Sequence, residues 1–174
     1  ALHPAATQTS GSARQALDAV DYLALANPAQ YPVENAAVYP TTSFGTQLKE
    51  VAQLIKSKVG LQMACVDIGG WDHHANISTF LPPLLDELAK GLLAFNTDMG
   101  ATMNKVTVIT MTEFGRRVKE NASGGTDHGA GSAMLLMGGG VVGGQVYAEW
   151  PGLADANLFN GDLDITVEYQ TVLN

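Results

Sequence analysis

Two short apolar runs separated by a long helical pattern constrain the fold of this chain most strongly. The runs LQMACVDI (residues 61–68) and KVTVITM (residues 105–111) are too short for helices and read as buried strands. Between them, apolar residues recur at helical spacing over residues 80–98. A strand, a helix and a second strand are the parts of a right-handed crossover between parallel neighbours. We therefore expect the strands at 62–66 and 106–111 to be adjacent and parallel.

The helix between these strands is the strongest helical pattern in the chain. Pro82 and Pro83 are tolerated only in a first turn, so the helix should begin near Ser78 or Thr79. Its expected buried stripe consists of Leu81, Leu84, Leu85, Leu88, Leu92 and Phe95.

Two further helices are predicted nearer the amino-terminal end. Residues 13–24 carry one apolar face, with Ser10 or Ser12 as the capping residue. A second helix should start at Ser43 and stop at Gly60, after basic residues in its last turn.

Additional strands are predicted at AMLLMG (residues 133–138) and, at a sheet edge, QVYAEW (residues 145–150). The expected fold class is α/β, a mostly parallel sheet flanked by helices. We expect one domain over residues 1–174, forming part of a longer protein.

Composition excludes several classes of partner. The chain has 174 residues, 46% hydrophobic, and a net charge of -8 without any basic run. It therefore lacks the cationic surface that nucleic acids or anionic membranes require, and no apolar run is long enough to insert into a membrane. The lone Cys65 should be a buried, inert thiol, and His3 lies in an end predicted to be disordered.

Three polar clusters follow the predicted strands. They are Asp72, His73 and His74; Glu113, Arg116 and Arg117; and Asp127 with His128. Ligands in open α/β sheets bind beyond the carboxyl ends of the strands, so we expect the clusters to converge.

Carboxylates and imidazoles at one place suit a divalent metal ion, most readily Zn²⁺, with Ca²⁺, Mn²⁺ or Mg²⁺ as other candidates. Adjacent residues in extended chain point to opposite sides. Asp72 and His74 are therefore the better pair of ligands, joined by His128, with Glu113 nearby. With metal bound, their ligand atoms should lie within roughly 3–4 Å of one another, and an empty site would be looser.

The groups around the ligands have two interpretations. In the first, Asp127 and His73 do not bind the ion but orient the residues that do, and Arg116 and Arg117 bind an anionic substrate. Alternatively, Asp127 only bonds the backbone of its turn, the histidines are ordinary loop residues, and the arginines are solvated surface charges.

A family resemblance rests on GGWDHHAN, TEFGRRVKEN, GTDHGAGSAMLLMGGGVVGGQVY and WPGL. From about Tyr39 to the end, the chain resembles the carboxyl-terminal half of the sulfatase-like bacterial family called domain of unknown function 1501. The resemblance implies the alkaline phosphatase superfamily, a mostly parallel sheet with metals at the strand ends, and export to the periplasm or beyond.

The order of the motifs is also similar to that in phosphopentomutase-like enzymes. That similarity implies that His128, joined by Asp72 and His74, binds one metal. Glu113 stands where those enzymes have a metal-binding Asp and is therefore expected to be a metal ligand, but Phe114 stands where they have a metal-binding His. The second metal position is therefore weakened. No residue matches the nucleophile of the superfamily, which we expect outside this chain.

Two functions remain open. One is a metal-dependent hydrolase of phosphate or sulfate esters, acting on a small anionic ester or a carbohydrate ester. The other is a non-catalytic exported binding protein that keeps the fold and at most a structural metal. Phe114 favours the second, and the joint presence of Asp72, His74, Glu113 and His128 favours the first. The sequence does not indicate an oligomeric state.

Overall fold

The computed structural model describes the chain from Pro4 to Leu173, with side chains from residue 11 onward, so that His3 lies outside the described residues. The helices are α1 (Pro4–Ala26), α2 (Ser43–Lys56), α3 (Ile77–Met99) and α4 (Tyr169–Leu173). The strands are β1 (Thr107–Ile109), β2 (Gly115–Arg116), β3 (His128–Gly129) and β4 (Leu136–Gly138). Short 3₁₀ helices lie at Pro28–Gln30, Gly100–Lys105 and Asp155–Asn157.

The chain forms two compact units. The first contains residues up to 68 together with residues 90–99, and the second contains residues 69–89 and everything from residue 100 onward. Helix α3 contributes its first turns to the second unit and its last turns to the first. The predicted metal ligands all belong to the second unit.

The core of the first unit forms between α2 and the end of α3. Its buried apolar side chains are Phe44, Leu48, Ala52, Ala94, Phe95 and Met99. Gly91 allows the close approach, because a Cβ there would meet the ring of Phe44 at 2.4 Å. Thr42 caps α2 by accepting a hydrogen bond from the backbone N–H of Gly45 at 3.2 Å, as expected for the predicted start at Ser43. The helix ends at Lys56, before the predicted stop at Gly60, because Lys58 already adopts a left-handed backbone conformation with φ 56°.

A buried carboxylate ties the first unit together. Asp98 is 2% exposed and accepts hydrogen bonds from Lys56 Nζ at 2.5 Å, Tyr39 Oη at 2.8 Å and the backbone N–H of Glu34 at 2.6 Å. Burial raises the pKa of the Tyr39 hydroxyl, and its hydrogen bond to Asp98 raises it further. The network joins α2, α3 and the proline-rich connection between α1 and α2.

Helix α1 departs from the prediction in its start and in its burial. It begins at Pro4, before the capping residues Ser10 and Ser12 that the sequence indicated. The face predicted to be buried is open to solvent, with Leu17 67% and Val20 61% exposed.

The prediction that the thiol of Cys65 is buried was also wrong, because this thiol is exposed.

Helix α3 begins at Ile77, next to the predicted Ser78, and it keeps Pro82 and Pro83 in its second turn. The prolines lack the N–H groups that would pair with the carbonyls of residues 78 and 79. The expected stripe of leucines is only partly covered, since Leu85 is 49% exposed whereas Phe95 is buried.

The mostly parallel sheet that the sequence predicted is not present among the described residues. Strand β1 pairs antiparallel with β4, and β2 pairs antiparallel with β3. Residues 62–66 and residues 145–150 lie outside the strands. The chain turns back on itself between β1 and β4, with the β2–β3 pair between them in sequence, and the described residues contain no parallel crossover. The α/β class holds in this mixed form, with β4 inside the predicted run 133–138.

Candidate metal centre

The segment that carries Asp72 and His74 is held to a distant turn by backbone hydrogen bonds. The N–H of Thr126 donates to the carbonyl of His73 at 2.9 Å, that of Asn76 to Ser123 at 3.1 Å, and that of Ile77 to Gly124 at 2.8 Å. Residues 73–77 and 123–126 are thereby fixed side by side, although some 50 residues of sequence separate them.

Gly125 makes this contact possible. A Cβ at this position would lie 2.3 Å from the carbonyl carbon of His74 and 2.4 Å from the backbone nitrogen of Ala75. Those atoms belong to the backbone and cannot swing aside. The glycine in GGTDHG is therefore required for the two segments to approach each other.

The short strands β2 and β3 supply the remaining parts of the centre. Arg116 and His128 are opposite each other in the antiparallel register, so their side chains share one face. The backbone N–H of Arg117 donates to the carbonyl of Asp127 at 2.9 Å, which adds one more backbone hydrogen bond beyond the β2–β3 pairing.

The two segments bring three potential ligand atoms into a nearly equilateral triangle. Asp72 Oδ1 lies 3.1 Å from His74 Nε2 and 3.0 Å from His128 Nε2. The two Nε2 atoms are 3.1 Å apart. The predicted convergence of Asp72, His74 and His128 is therefore confirmed, and these residues form a group that could hold a metal ion.

The triangle matches the spacing of metal ligands. Atoms about 2.0–2.2 Å from a tetrahedral Zn²⁺ lie roughly 3.3–3.6 Å apart, so a small outward shift of the side chains admits an ion. Two imidazoles and one carboxylate leave a further coordination position. The three residues are exposed, and that position would face solvent.

Asp127 orients one of the ligands. Its Oδ1 lies 3.0 Å from His74 Nδ1, on the side of the ring away from the triangle. A carboxylate only accepts, so this contact selects the tautomer with the proton on Nδ1 and leaves the Nε2 lone pair for an ion. The interpretation of Asp127 as a supporting group is favoured over a role in its turn alone.

Asn121 is a part of the centre that the sequence analysis missed. Its side-chain amide donates to Asp127 Oδ1 at 3.1 Å and to the carbonyl of His74 at 3.0 Å. Its carbonyl oxygen accepts from the N–H groups of Ser123 and Gly125. An Asn ahead of a serine and two glycines is a turn signal, but nothing in the sequence indicates its contact with a residue 47 positions earlier.

The guanidinium of Arg116 is hydrogen-bonded within the protein. It donates to the carbonyls of Thr126 at 2.8 Å and Trp71 at 2.9 Å, and to Asp72 Oδ1 at 2.8 Å. Through these hydrogen bonds Arg116 holds the side chain of Asp72 in position and links residues 71–72 to residue 126. Arg117 lies 3.4 Å from Asp162. Both predicted substrate-binding arginines are therefore engaged by the protein itself.

These contacts favour ionised carboxylates. The hydrogen bond from His128, followed by that from Arg116, lowers the pKa of Asp72 from 3.8 to about 2. The contact with His74, followed by that with Asn121, lowers the pKa of Asp127. Both groups are therefore charged at neutral pH, as metal binding and ligand orientation require.

Glu113 is not a member of the group whose ligand atoms converge. Its neighbour Phe114 stacks on His128, with ring centroids 3.9 Å apart and an angle of 25° between the planes. The phenyl ring thus covers one face of a ligand imidazole and fixes its orientation by packing.

His73 contributes through its backbone, whose carbonyl accepts the hydrogen bond from Thr126. Its side chain is 5% exposed, and the ring atom Nε2 has no hydrogen-bond partner. The supporting role predicted for the His73 imidazole toward the proposed ligands therefore stays a prediction.

A hollow of about 610 Å³ opens beside the triangle. Besides Asp72, His73 and His74, it is lined by Gly70, Ala75, Phe80, Pro83, Leu84 and Glu87. Four of these residues belong to the first half of α3, so a ligand in this space would contact both the triangle and the helix.

Comparison with known proteins identifies the family. Residues 5–173 match the family described as protein of unknown function (DUF1501), and the chain belongs to this family. Neither a curated protein nor a solved structure matches the chain. Within the described residues, none of the helices has the length and apolar character needed to cross a membrane.

Proposed function

We propose that this member of the DUF1501 family binds one divalent metal ion through Asp72, His74 and His128 and hydrolyses phosphate or sulfate esters. The observation that carries the proposal is the triangle of ligand atoms, 3.0–3.1 Å on each side, assembled from two distant segments. The orienting contact from Asp127 to His74 supports it, because such contacts commonly accompany metal-binding histidines.

The donor set favours Zn²⁺ among the candidate ions. Mg²⁺, Ca²⁺ and Mn²⁺ prefer sets made of oxygen, whereas two imidazole nitrogens and one carboxylate oxygen suit Zn²⁺. The same set also suits ferrous iron, so both ions belong in the metal analysis.

The residues around the triangle have separate tasks in this proposal. Asp72 and the two histidines hold the ion, which when bound would polarise an ester oxygen and stabilise negative charge developing on it. Arg116 keeps Asp72 in place and Asp127 keeps His74 in place. One carboxylate against a doubly charged cation leaves a net positive centre that attracts an anionic ester.

The chain supplies no evident covalent nucleophile at this centre. The residues that line the hollow, all within the described part of the chain, include no Ser, Thr or Cys. We therefore expect slow turnover by this chain alone, because ester cleavage in the superfamily that the motifs resemble uses a placed nucleophile. The proposal also includes membership in the alkaline phosphatase superfamily and a periplasmic or secreted location. Both are supported only by the resemblance of the sequence motifs.

A hydrolase assay tests the proposal. We expect metal-loaded protein to cleave an aryl phosphate or an aryl sulfate slowly, and His128→Ala to abolish that activity. The matched control is Asp155→Ala, which removes an exposed carboxylate that pairs with Lys119 at 2.9 Å and lies outside the triangle. Turnover that is equal in the wild type and in His128→Ala would contradict a role for the triangle in catalysis.

The alternative function is that of a non-catalytic binding protein. One observation supports it: Phe114 stands where similar enzymes have a ligand of the second metal, and a phenyl ring cannot bind an ion. The signature of this alternative would be metal binding at the triangle without turnover of either ester.

A further inference from the structure

We infer that the hollow beside the triangle binds a neutral, apolar substituent of the substrate. The preferred substrates are then esters in which one anionic group is attached to an aryl or alkyl group. This inference rests on the proposed function, because the triangle must hold the metal that binds the anionic group.

The wall of the hollow is one stripe of α3. Phe80, Pro83, Leu84 and Glu87 follow one another at the spacing i, i+3, i+4 and i+7, which places them on a single helical face. Phe80 is 53% exposed. A lone exposed phenylalanine needs no explanation, but three apolar side chains that line a hollow together with two of the proposed ligands combine an apolar wall with convergent polar groups, as small-molecule sites do.

The size of the hollow suits a small substituent. Its volume of about 610 Å³ lies inside the range of roughly 300–1,000 Å³ that is typical of small-molecule sites. Asp72 and His74 line the same space, so a group bound to the ion through its anionic end can extend directly along the helix.

The charges in the hollow exclude a second anionic group. Glu87 is half-buried in the wall, and no Lys or Arg occurs among the residues that line the space. A substituent with its own negative charge would lie near this carboxylate without a cation to compensate it. Sugar bisphosphates and nucleoside di- and triphosphates are therefore poor ligands, whereas esters with one neutral aryl or alkyl group are good ones.

Phosphonates test this inference because they carry the anionic group but cannot be hydrolysed. We expect zinc-loaded protein, studied by calorimetry, to bind phenylphosphonate about tenfold more tightly than methylphosphonate, since the phenyl ring buries apolar surface. Phe80→Ala and Leu84→Ala should reduce this ratio severalfold. Leu85→Ala should leave it unchanged, because Leu85 neighbours Leu84 on α3 but does not line the hollow.

A second comparison addresses Glu87. We expect 4-carboxyphenylphosphonate to bind more weakly than phenylphosphonate, and Glu87→Gln to remove most of that difference. Zinc binding with equal affinity for phenylphosphonate and methylphosphonate would overturn the inference and leave the proposed function standing. Failure to bind zinc would overturn both.

Discussion

His74 Nδ1 lies 3.0 Å from the carboxylate of Asp127, while the opposite ring nitrogen of His74 points into the ligand triangle. One residue from the motif GGTDHG thereby fixes the orientation of a ligand from the motif GGWDHH. Asp127 and His128 are adjacent in sequence, yet they act on the centre in different ways, one as support and the other as ligand.

The support from Asp127 should be measurable as metal affinity. We expect Asp127→Ala to weaken zinc binding by about 10–100-fold, the usual effect of removing such a partner. Titration with a competing chelator measures the change, and Asp155→Ala serves as the control. Unchanged affinity in Asp127→Ala would mean that this carboxylate only orders its own turn.

The metal-free protein should show an unusually acidic carboxyl at position 72. Hydrogen bonds from His128 and Arg116 lower the pKa of Asp72 from 3.8 to about 2. The stabilisation from the charged form is present above pH 3.8 and is lost as the pH falls through about 2. Carbon-detected NMR titration of the carboxyl group measures the midpoint. His128→Ala should move it upward, and a wild-type midpoint near 3.8 would contradict these contacts.

Gly125 should be indispensable to the centre. A methyl group there would collide with the backbone of residues 74 and 75, so Gly125→Ala must push the two segments apart. We expect loss of zinc binding together with a lower melting temperature. Gly69→Ala is the matched control, because nothing lies within 4 Å of a Cβ at Gly69. A Gly125→Ala protein with wild-type zinc affinity would refute the close approach.

The first unit offers a stability prediction that is independent of the metal. Asp98→Ala leaves Lys56 without its buried partner, and such a loss typically costs about 3–5 kcal/mol in the free energy of unfolding. Denaturant unfolding measures it, with the exposed Glu50→Ala on α2 as the control. A cost equal to that of the control would show that the network around Asp98 adds little.

The sequence indicated the helices and the ligands better than the strands. The start of α2 follows from its capping residue and the extent of α3 from long apolar periodicity, and both are local signals. The run at residues 61–68 carries no such signal, and a short apolar run fits a strand, a helix or an irregular segment alike. The predicted parallel pairing of residues 62–66 with residues 106–111 was wrong for that reason.

The ligands converge, but by a route other than the predicted one. Parallel strand ends were expected to bring the motifs together, whereas backbone hydrogen bonds between residues 73–77 and 123–126 do so. The spacing of Asp72 and His74 identified the two residues of their motif that converge with His128. The contacts of Asn121 and Arg116 depend on this tertiary pairing, so no local pattern could reveal them.

Zinc binding by the wild type and by ligand variants tests the central claim most directly. We expect calorimetry at neutral pH to give one Zn²⁺ per chain, and His74→Ala, His128→Ala and Asp72→Ala each to abolish or severely weaken binding. Asp155→Ala should bind as the wild type does. A wild-type protein that binds no zinc or ferrous iron, or ligand variants that bind zinc as tightly as the wild type, would contradict the account.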